Sequence, residues 1–149
     1  MHTMDELDRK IIKELEHDAR RSLRKISKRL GISITTLSGR ISNLEKAGVI
    51  KGYTAMIDPE AAGFDLTAVI EIVVSKGRLL EVEKEIAKMR HVFAVYDITG
   101  STDSLILARF RKRSEMSSFI KTLLAMNYVE RTNTHVALNV IKEDMRVEL

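Results

Sequence analysis

Residues 22–48 read SLRKISKRLGISITTLSGRISNLEKAG, and the spacing of their apolar residues decides the fold of the first third of the chain. Leu23, Ile26 and Leu30 recur at helical spacing behind Ser22, which is suited to cap a helix, and Gly31 supplies a left-handed stop. Ser33 then caps a second helix in which Ile34, Leu37, Ile41 and Leu44 share one side, and Gly48 closes the run after Ala47. Only Gly31, Ile32 and Ser33 separate the two helices. Upstream, Leu7, Ile11, Ile12 and Leu15 repeat at the same period and predict a third helix, with Thr3 or Asp5 as its cap and Thr3 with Glu6 as a capping-box pair. Two helices joined by a tight glycine turn and closed by a third make a helix-turn-helix.

In that arrangement the second helix of the pair lays its N-terminal half into the DNA major groove. Ser33, Thr35, Thr36, Ser38, Gly39, Arg40, Ser42 and Asn43 all avoid the apolar stripe and form the predicted reading face. Arg40 suits a guanine edge or a phosphate, Asn43 an adenine or a phosphate, and Gly39 lets a backbone approach. Arg20, Arg21, Arg24, Lys25, Lys28 and Lys51 are expected to touch phosphates, positioning the protein without reading sequence. The plainer alternative is a three-helix module that docks another protein.

Charge favours the nucleic-acid reading. The chain has 149 residues and a formal net charge of +4, but residues 1–52 hold 12 Lys and Arg against 7 Asp and Glu, and the remainder 13 against 14. The basic excess therefore sits wholly in the first third, where counterion release from DNA would reward it. A hydrophobic content of 44% suffices for globular folding, and the absence of cysteine excludes disulfides, thiolate metal sites and a cysteine nucleophile. No apolar run is long enough for a membrane span, and the first residues lack the basic start and apolar stretch of a signal peptide; a cytoplasmic protein with no membrane partner is expected.

Residues 49–57 read as strand, turn glycine and strand, a wing beside the helices, and residues 58–63, DPEAAG, as a hinge. Beyond it the periodicity predicts strand 66–74, helix 79–89, strand 92–99, strand 104–110, helix 114–124 and strand 132–141. The order βαββαβ closes into a ferredoxin-like sandwich, a four-stranded antiparallel sheet with both helices on one face. The fold class is thus α+β: a winged helix-turn-helix over 1–52, a strand and hinge over 53–63, and a ferredoxin-like oligomerisation and effector-binding domain over 64–149. In the strand 66–74 both Val69-Glu71-Val73 and Ile70-Ile72-Val74 carry apolar side chains, so the uncovered sheet face calls for a second subunit and a homodimer.

The residues Leu7-Asp8, Ile11-Ile12, Asp18-Ala19-Arg20, Ile26-Ser27, Leu30-Gly31-Ile32-Ser33, Arg40-Ile41, Leu44-Glu45 and the stretch 48–55, GVIKGYTA, resemble the DNA-binding half of the Lrp/AsnC (feast/famine) transcription regulators. The likeness runs through the second half as well. It implies double-stranded DNA as partner, dimers that assemble into higher oligomers, and a small-molecule effector, an amino acid, bound between dimers near the loop joining strands two and three. Here that loop is Thr99-Gly100-Ser101-Thr102-Asp103-Ser104. Gly100 and Asp103 match the family's glycine and acidic positions, whereas Ser101 and Thr102 stand where an acidic residue and an aromatic are common. Thr132 and Thr134 resemble a Thr-x-Thr pair that holds an amino-acid carboxylate, with Asp103 facing the ammonium group. The plainer reading of the same residues is a turn glycine, a capping aspartate and ordinary strand threonines. Another departure is the single arginine of the reading helix, where relatives often carry several.

No enzyme signature competes. His2, His17, His91 and His135 lack the spacing of a helical metal pair, and no Ser-His-Asp order, phosphate loop or dinucleotide glycine pattern is present; no catalytic residue, metal or cofactor is expected. Two alternatives stand beside the regulator: an Lrp-like tetrapyrrole decarboxylase using His91, Arg90 and Arg131, and an assembly module without DNA binding.

Overall fold

A computed structural model describes residues 3–149; His2 lies outside the described residues. Contacts divide the chain into two units, one reaching to Met56 and including Asp144–Leu149, the other Ile57–Glu143.

The first unit holds α1 (Glu6–His17), α2 (Leu23–Leu30) and α3 (Ile34–Lys46). Its core is Ile11, Ile12, Ile26, Leu37, Ile41 and Leu44, the stripe read from the period. Burying such aliphatic side chains contributes about 1.5–3 kcal/mol each. Leu7, Leu15 and Leu30 pack against this core partly buried, whereas Leu23 is 39% and Ile34 44% exposed, because each sits at the first position of its helix, short of the packed turns. Ser22 and Ser33 cap α2 and α3 as expected, and Gly31 ends α2 in the left-handed conformation at φ 67°. Of the two expected caps of α1, Asp5 is the one used, and the expected Thr3–Glu6 capping box gives way to one in which the Asp5 carboxylate accepts the Asp8 amide while Asp8 accepts the Asp5 amide. Aspartate at both positions satisfies two orphan donors and places negative charge at the positive end of the helix.

Residues 49–57 form no strand, which corrects the predicted wing hairpin. No hydrogen bond joins residues 49–51 to residues 53–57, and a strand without a partner has nothing to hold its ladder. The segment is instead tethered by Tyr53, whose hydroxyl donates to Glu45 Oε1 at 2.9 Å. Desolvation first, and the Glu45 carboxylate second, push the Tyr53 hydroxyl above its ordinary pKa. The last residues, expected with the sheet domain, join the first unit: the Val147 amide donates to Glu16 Oε1 at 3.2 Å and Leu149 packs on the three-helix core.

The second unit holds β1 (Leu66–Val74), α4 (Leu79–Ile86), β2 (Val92–Asp97), β3 (Ser104–Phe110), α5 (Arg113–Ala125) and β4 (Val129–Val136), with antiparallel strands ordered β2-β3-β1-β4. Ala68, Ile70, Ile72 and Val74 join Ile106, Ala108 and Phe110 under Val82, Ile86, Phe119 and Leu123, so α4 and α5 cover one face. The other face presents Val69, Glu71, Val73, Leu105 and Leu107, all half-buried. The fourth strand starts and ends earlier than the predicted 132–141, since in the antiparallel pairing Val136 already meets Ala68 near the start of β1. Among the described residues no helix is long and apolar enough to cross a membrane.

Candidate DNA-reading and effector sites

The start of α3 is fixed by its cap. Ser33 Oγ accepts the Thr36 amide at 3.0 Å and meets the Thr36 hydroxyl at 2.8 Å, so both hydroxyls serve the start of α3. Thr35, Ser38, Gly39 and Asn43 are exposed, and Ser42 is half-buried. A Cβ built on Gly39 meets nothing within 4 Å. No packing within this chain therefore demands glycine there, although mid-helix glycine costs roughly 0.5–1 kcal/mol relative to alanine.

Arg40, expected at a guanine edge or a phosphate, is ion-paired within the chain. Its Nη1 donates to Asp8 Oδ1 at 3.0 Å and to Asp5 Oδ2, which ties the middle of α3 to the cap of α1. The Asp8 side chain is 4% exposed. Through its hydrogen bond to Arg40, Asp5 is held below the usual carboxylate pKa, and Arg40 is correspondingly raised. Sequence reading missed the pairing of Arg40 with Asp5 and Asp8 because it spans more than thirty residues.

The expected phosphate contacts also separate into two groups. The side chains of Arg20, Arg24, Lys25 and Lys28 are exposed, as is Lys51 in the segment after α3. Arg21 is bound to Glu14, which also pairs with Arg29 at 3.1 Å. Arg21, Lys25, Lys28 and Arg29 line an open basic cavity of about 470 Å³. Arg29 was missed, though its position one turn beyond Lys25 was a usable signal.

In the sheet unit, register brings the expected effector residues around the end of β1. Ile72 pairs with Ser104 on one side and Thr132 on the other, and Ile70 with Thr134. Directly opposed residues share a face, so Thr132 and Thr134 lie on the helix-covered side. Thr134 Oγ1 is enclosed and finds no hydrogen-bond partner among the described residues. Asp103 Oδ2 accepts the Val74 amide at 2.8 Å, where the pairing of β1 with β4 shifts register, and the Asp103 amide donates to Ile72 O at 2.9 Å. One carboxylate oxygen is thus structural. Thr102 is buried, Gly100 and Ser101 are exposed, and Gly100 takes φ 134°, a conformation that favours glycine.

A second cavity, about 540 Å³, opens on the helical side and is lined by Met89, Arg90, His91, Ser114, Glu115, Ser118, Phe119 and Thr122. It unites Arg90 and His91 but not Arg131, which lies on β4. Among the described residues no group of three or more His, Cys, Asp or Glu is arranged to hold a metal.

Two family models match the chain. Residues 4–51 match the winged helix-turn-helix DNA-binding family model, and residues 67–147 match the Lrp/AsnC ligand-binding domain. The chain belongs to the Lrp/AsnC family of DNA-binding transcription regulators. It is 45% identical to an uncharacterized HTH-type transcriptional regulator of Pyrococcus furiosus, over 97% of this chain and 98% of the relative. It is 39% identical to the HTH-type transcriptional regulator FL11 of Pyrococcus horikoshii, over 94% and 93%. Among solved structures, a Neisseria meningitidis transcriptional regulator in complex with L-Met superposes with a TM-score of 0.87 at 28% identity, covering 98% of this chain and 97% of that one. Escherichia coli AsnC shares the fold with a TM-score of 0.89 at 22% identity, over 97% and 99%. This Lrp/AsnC chain is therefore a DNA-binding regulator with a ligand-binding domain.

Proposed function

We propose that this regulator works in the cytoplasm as a homodimer, assembling further, whose paired α3 helices read a palindromic operator and whose DNA affinity or assembly responds to an amino acid. The observation that carries the DNA half is Gly39: an exposed mid-helix glycine that nothing in the chain requires, flanked by Thr35, Ser38 and Asn43. Close approach of a DNA backbone supplies the missing reason. Thr35, Ser38 and Asn43 are the base readers; Arg20, Arg24, Lys25, Lys28 and Lys51 hold phosphates; Arg40 positions the helix. The dimer is supported by the half-buried apolar sheet face opposite the helices.

For the effector, the carboxylate of Asp103 keeps one oxygen for an ammonium group, with Gly100, Ser101, Thr102, Thr132 and Thr134 around it. A relative of the same fold has been crystallised with L-Met, which favours an amino acid. The decarboxylase alternative loses support because Arg131 does not line the cavity of Arg90 and His91. A competition experiment tests the DNA reading: duplex from the regulator's own upstream region against unrelated duplex. Thr35→Ala and Ser38→Ala are expected to reduce the preference for the first; an unchanged preference in both, or none in the parent protein, refutes it.

A further inference from the structure

Every charged side chain of α2 is basic: residues 23–30 read LRKISKRL. Lys25, Lys28 and Arg29 share one side of the helix and, with Arg21 just ahead of its Ser22 cap, line the open cavity of about 470 Å³. Like charges so placed repel one another, and an anionic partner relieves that repulsion. One carboxylate enters the cluster from α1. Glu14 Oε1 lies 3.1 Å from Arg29 Nε, and Glu14 Oε2 accepts from Arg21 Nη1.

The two guanidiniums that Glu14 holds are left in different states. Arg21 engages all three of its nitrogens: Nη1 on Glu14, Nη2 at 3.3 Å from His17 Nδ1, and Nε at 3.9 Å from Asp18 Oδ2. Its side chain is only 14% exposed. Arg29 is 62% exposed and meets Glu14 through Nε, with no other partner among the described residues, so its two terminal nitrogens keep their donors. A carboxylate on one edge of a guanidinium fixes its plane and leaves the other edge for a bidentate contact with a phosphate. Glu14 is itself nearly enclosed between the two arginines, which makes it an anchor for Arg29.

We propose that Arg29 is a further contact to the DNA phosphates and that Glu14 is its positioning residue, holding the guanidinium by one edge so that the other meets the backbone with its rotamer freedom already lost. This rests on the phosphate-contacting role given above to Lys25 and Lys28. It reverses the ordinary expectation for an acidic side chain beside a DNA-binding surface, whose removal lowers repulsion and tightens binding.

Anisotropy titrations of the full chain, with duplex from the regulator's own upstream region and unrelated duplex across a salt series, test this. Arg29→Ala, a change at an exposed side chain, should reduce the slope of affinity against salt by about 1 and weaken both duplexes alike. Glu14→Gln removes a negative charge yet should also weaken binding, with a slope close to that of Arg29→Ala. In the Arg29→Ala background the same change should weaken it no further. If Glu14→Gln does not fold, Arg29→Lys decides the point: it keeps the charge but has no second edge to offer, so its slope should fall as well. A slope held at the parent's value in Glu14→Gln, whether binding tightens or only Tm falls, overturns the role of Glu14, as does an Arg29→Lys variant that binds like the parent. An unchanged slope in Arg29→Ala overturns both roles. Where Lys28→Ala lowers the slope and Arg29→Ala does not, α2 stays on the phosphates and Arg29 alone is removed from them; where neither lowers it, the whole helix is removed.

Discussion

Arg40 Nη1 lies 3.0 Å from Asp8 Oδ1 and donates as well to Asp5, so the guanidinium on α3 is spent on the cap of α1. An arginine in that position fixes the angle at which α3 is presented. Arg40→Ala should therefore lower the stability of the first unit, since Asp8 loses a charged donor while keeping the Asp5 amide. It should also weaken DNA binding alike on cognate and unrelated sequence. Urea unfolding and paired DNA titrations check this; a selective loss on cognate DNA with stability unchanged would restore Arg40 as a base reader.

The same contact sets a pH dependence. A carboxylate whose pKa is lowered by folding contributes stability above its unfolded value, about 3.9 for aspartate, and that stability is lost as pH falls through the folded value. Asp5 is lowered chiefly by its hydrogen bond to Arg40. The difference in Tm between the parent protein and Arg40→Met should be full near neutrality and shrink as pH falls from about 5 toward 2. A difference that stays constant over that range would show that the pair adds nothing pH-dependent.

Gly39 invites a substitution with opposite effects. Alanine meets open space and should stabilise α3 by about 0.5–1 kcal/mol. If DNA approaches there, Gly39→Ala should nonetheless weaken binding. A rise in Tm with unchanged affinity would remove Gly39 from the interface.

The parts legible in the sequence were those written in local chemistry. Ser22, Gly31 and Ser33 cap or stop their helices through hydrogen bonds and dihedrals reaching no more than a few residues, so their types announce their roles. The alternation along β1 likewise survived intact, since a strand at the centre of a sheet has its period enforced by both neighbours. What was not legible depended on distant partners. Arg40 finds Asp5 across 35 positions, and nothing around Arg40 distinguishes an ion-paired arginine from a free one. Residues 49–57 have the composition of a hairpin but no paired strand, and β4 ends where β1 runs out rather than where its apolar residues do. At the effector loop Asp103 was legible as an acidic loop residue, but its bond to the Val74 amide requires the register of three strands.

That bond separates two roles of Asp103. Asp103→Ala leaves the Val74 amide without its acceptor and should cost about 1–3 kcal/mol. Asp103→Asn keeps an acceptor and removes the charge, so stability should hold within about 0.5 kcal/mol while affinity for an amino acid at the loop falls. Equal destabilisation by both, with amino-acid binding at the loop unaffected, would make the residue purely structural.

Affinity for double-stranded DNA across a salt series tests the central claim most directly, using duplex from the regulator's upstream region and fluorescence anisotropy. The affinity should fall linearly with salt on logarithmic axes, and Lys28→Ala should reduce the slope by about 1 while weakening all duplexes alike. Absence of binding at low salt, or an affinity indifferent to salt, would contradict the account.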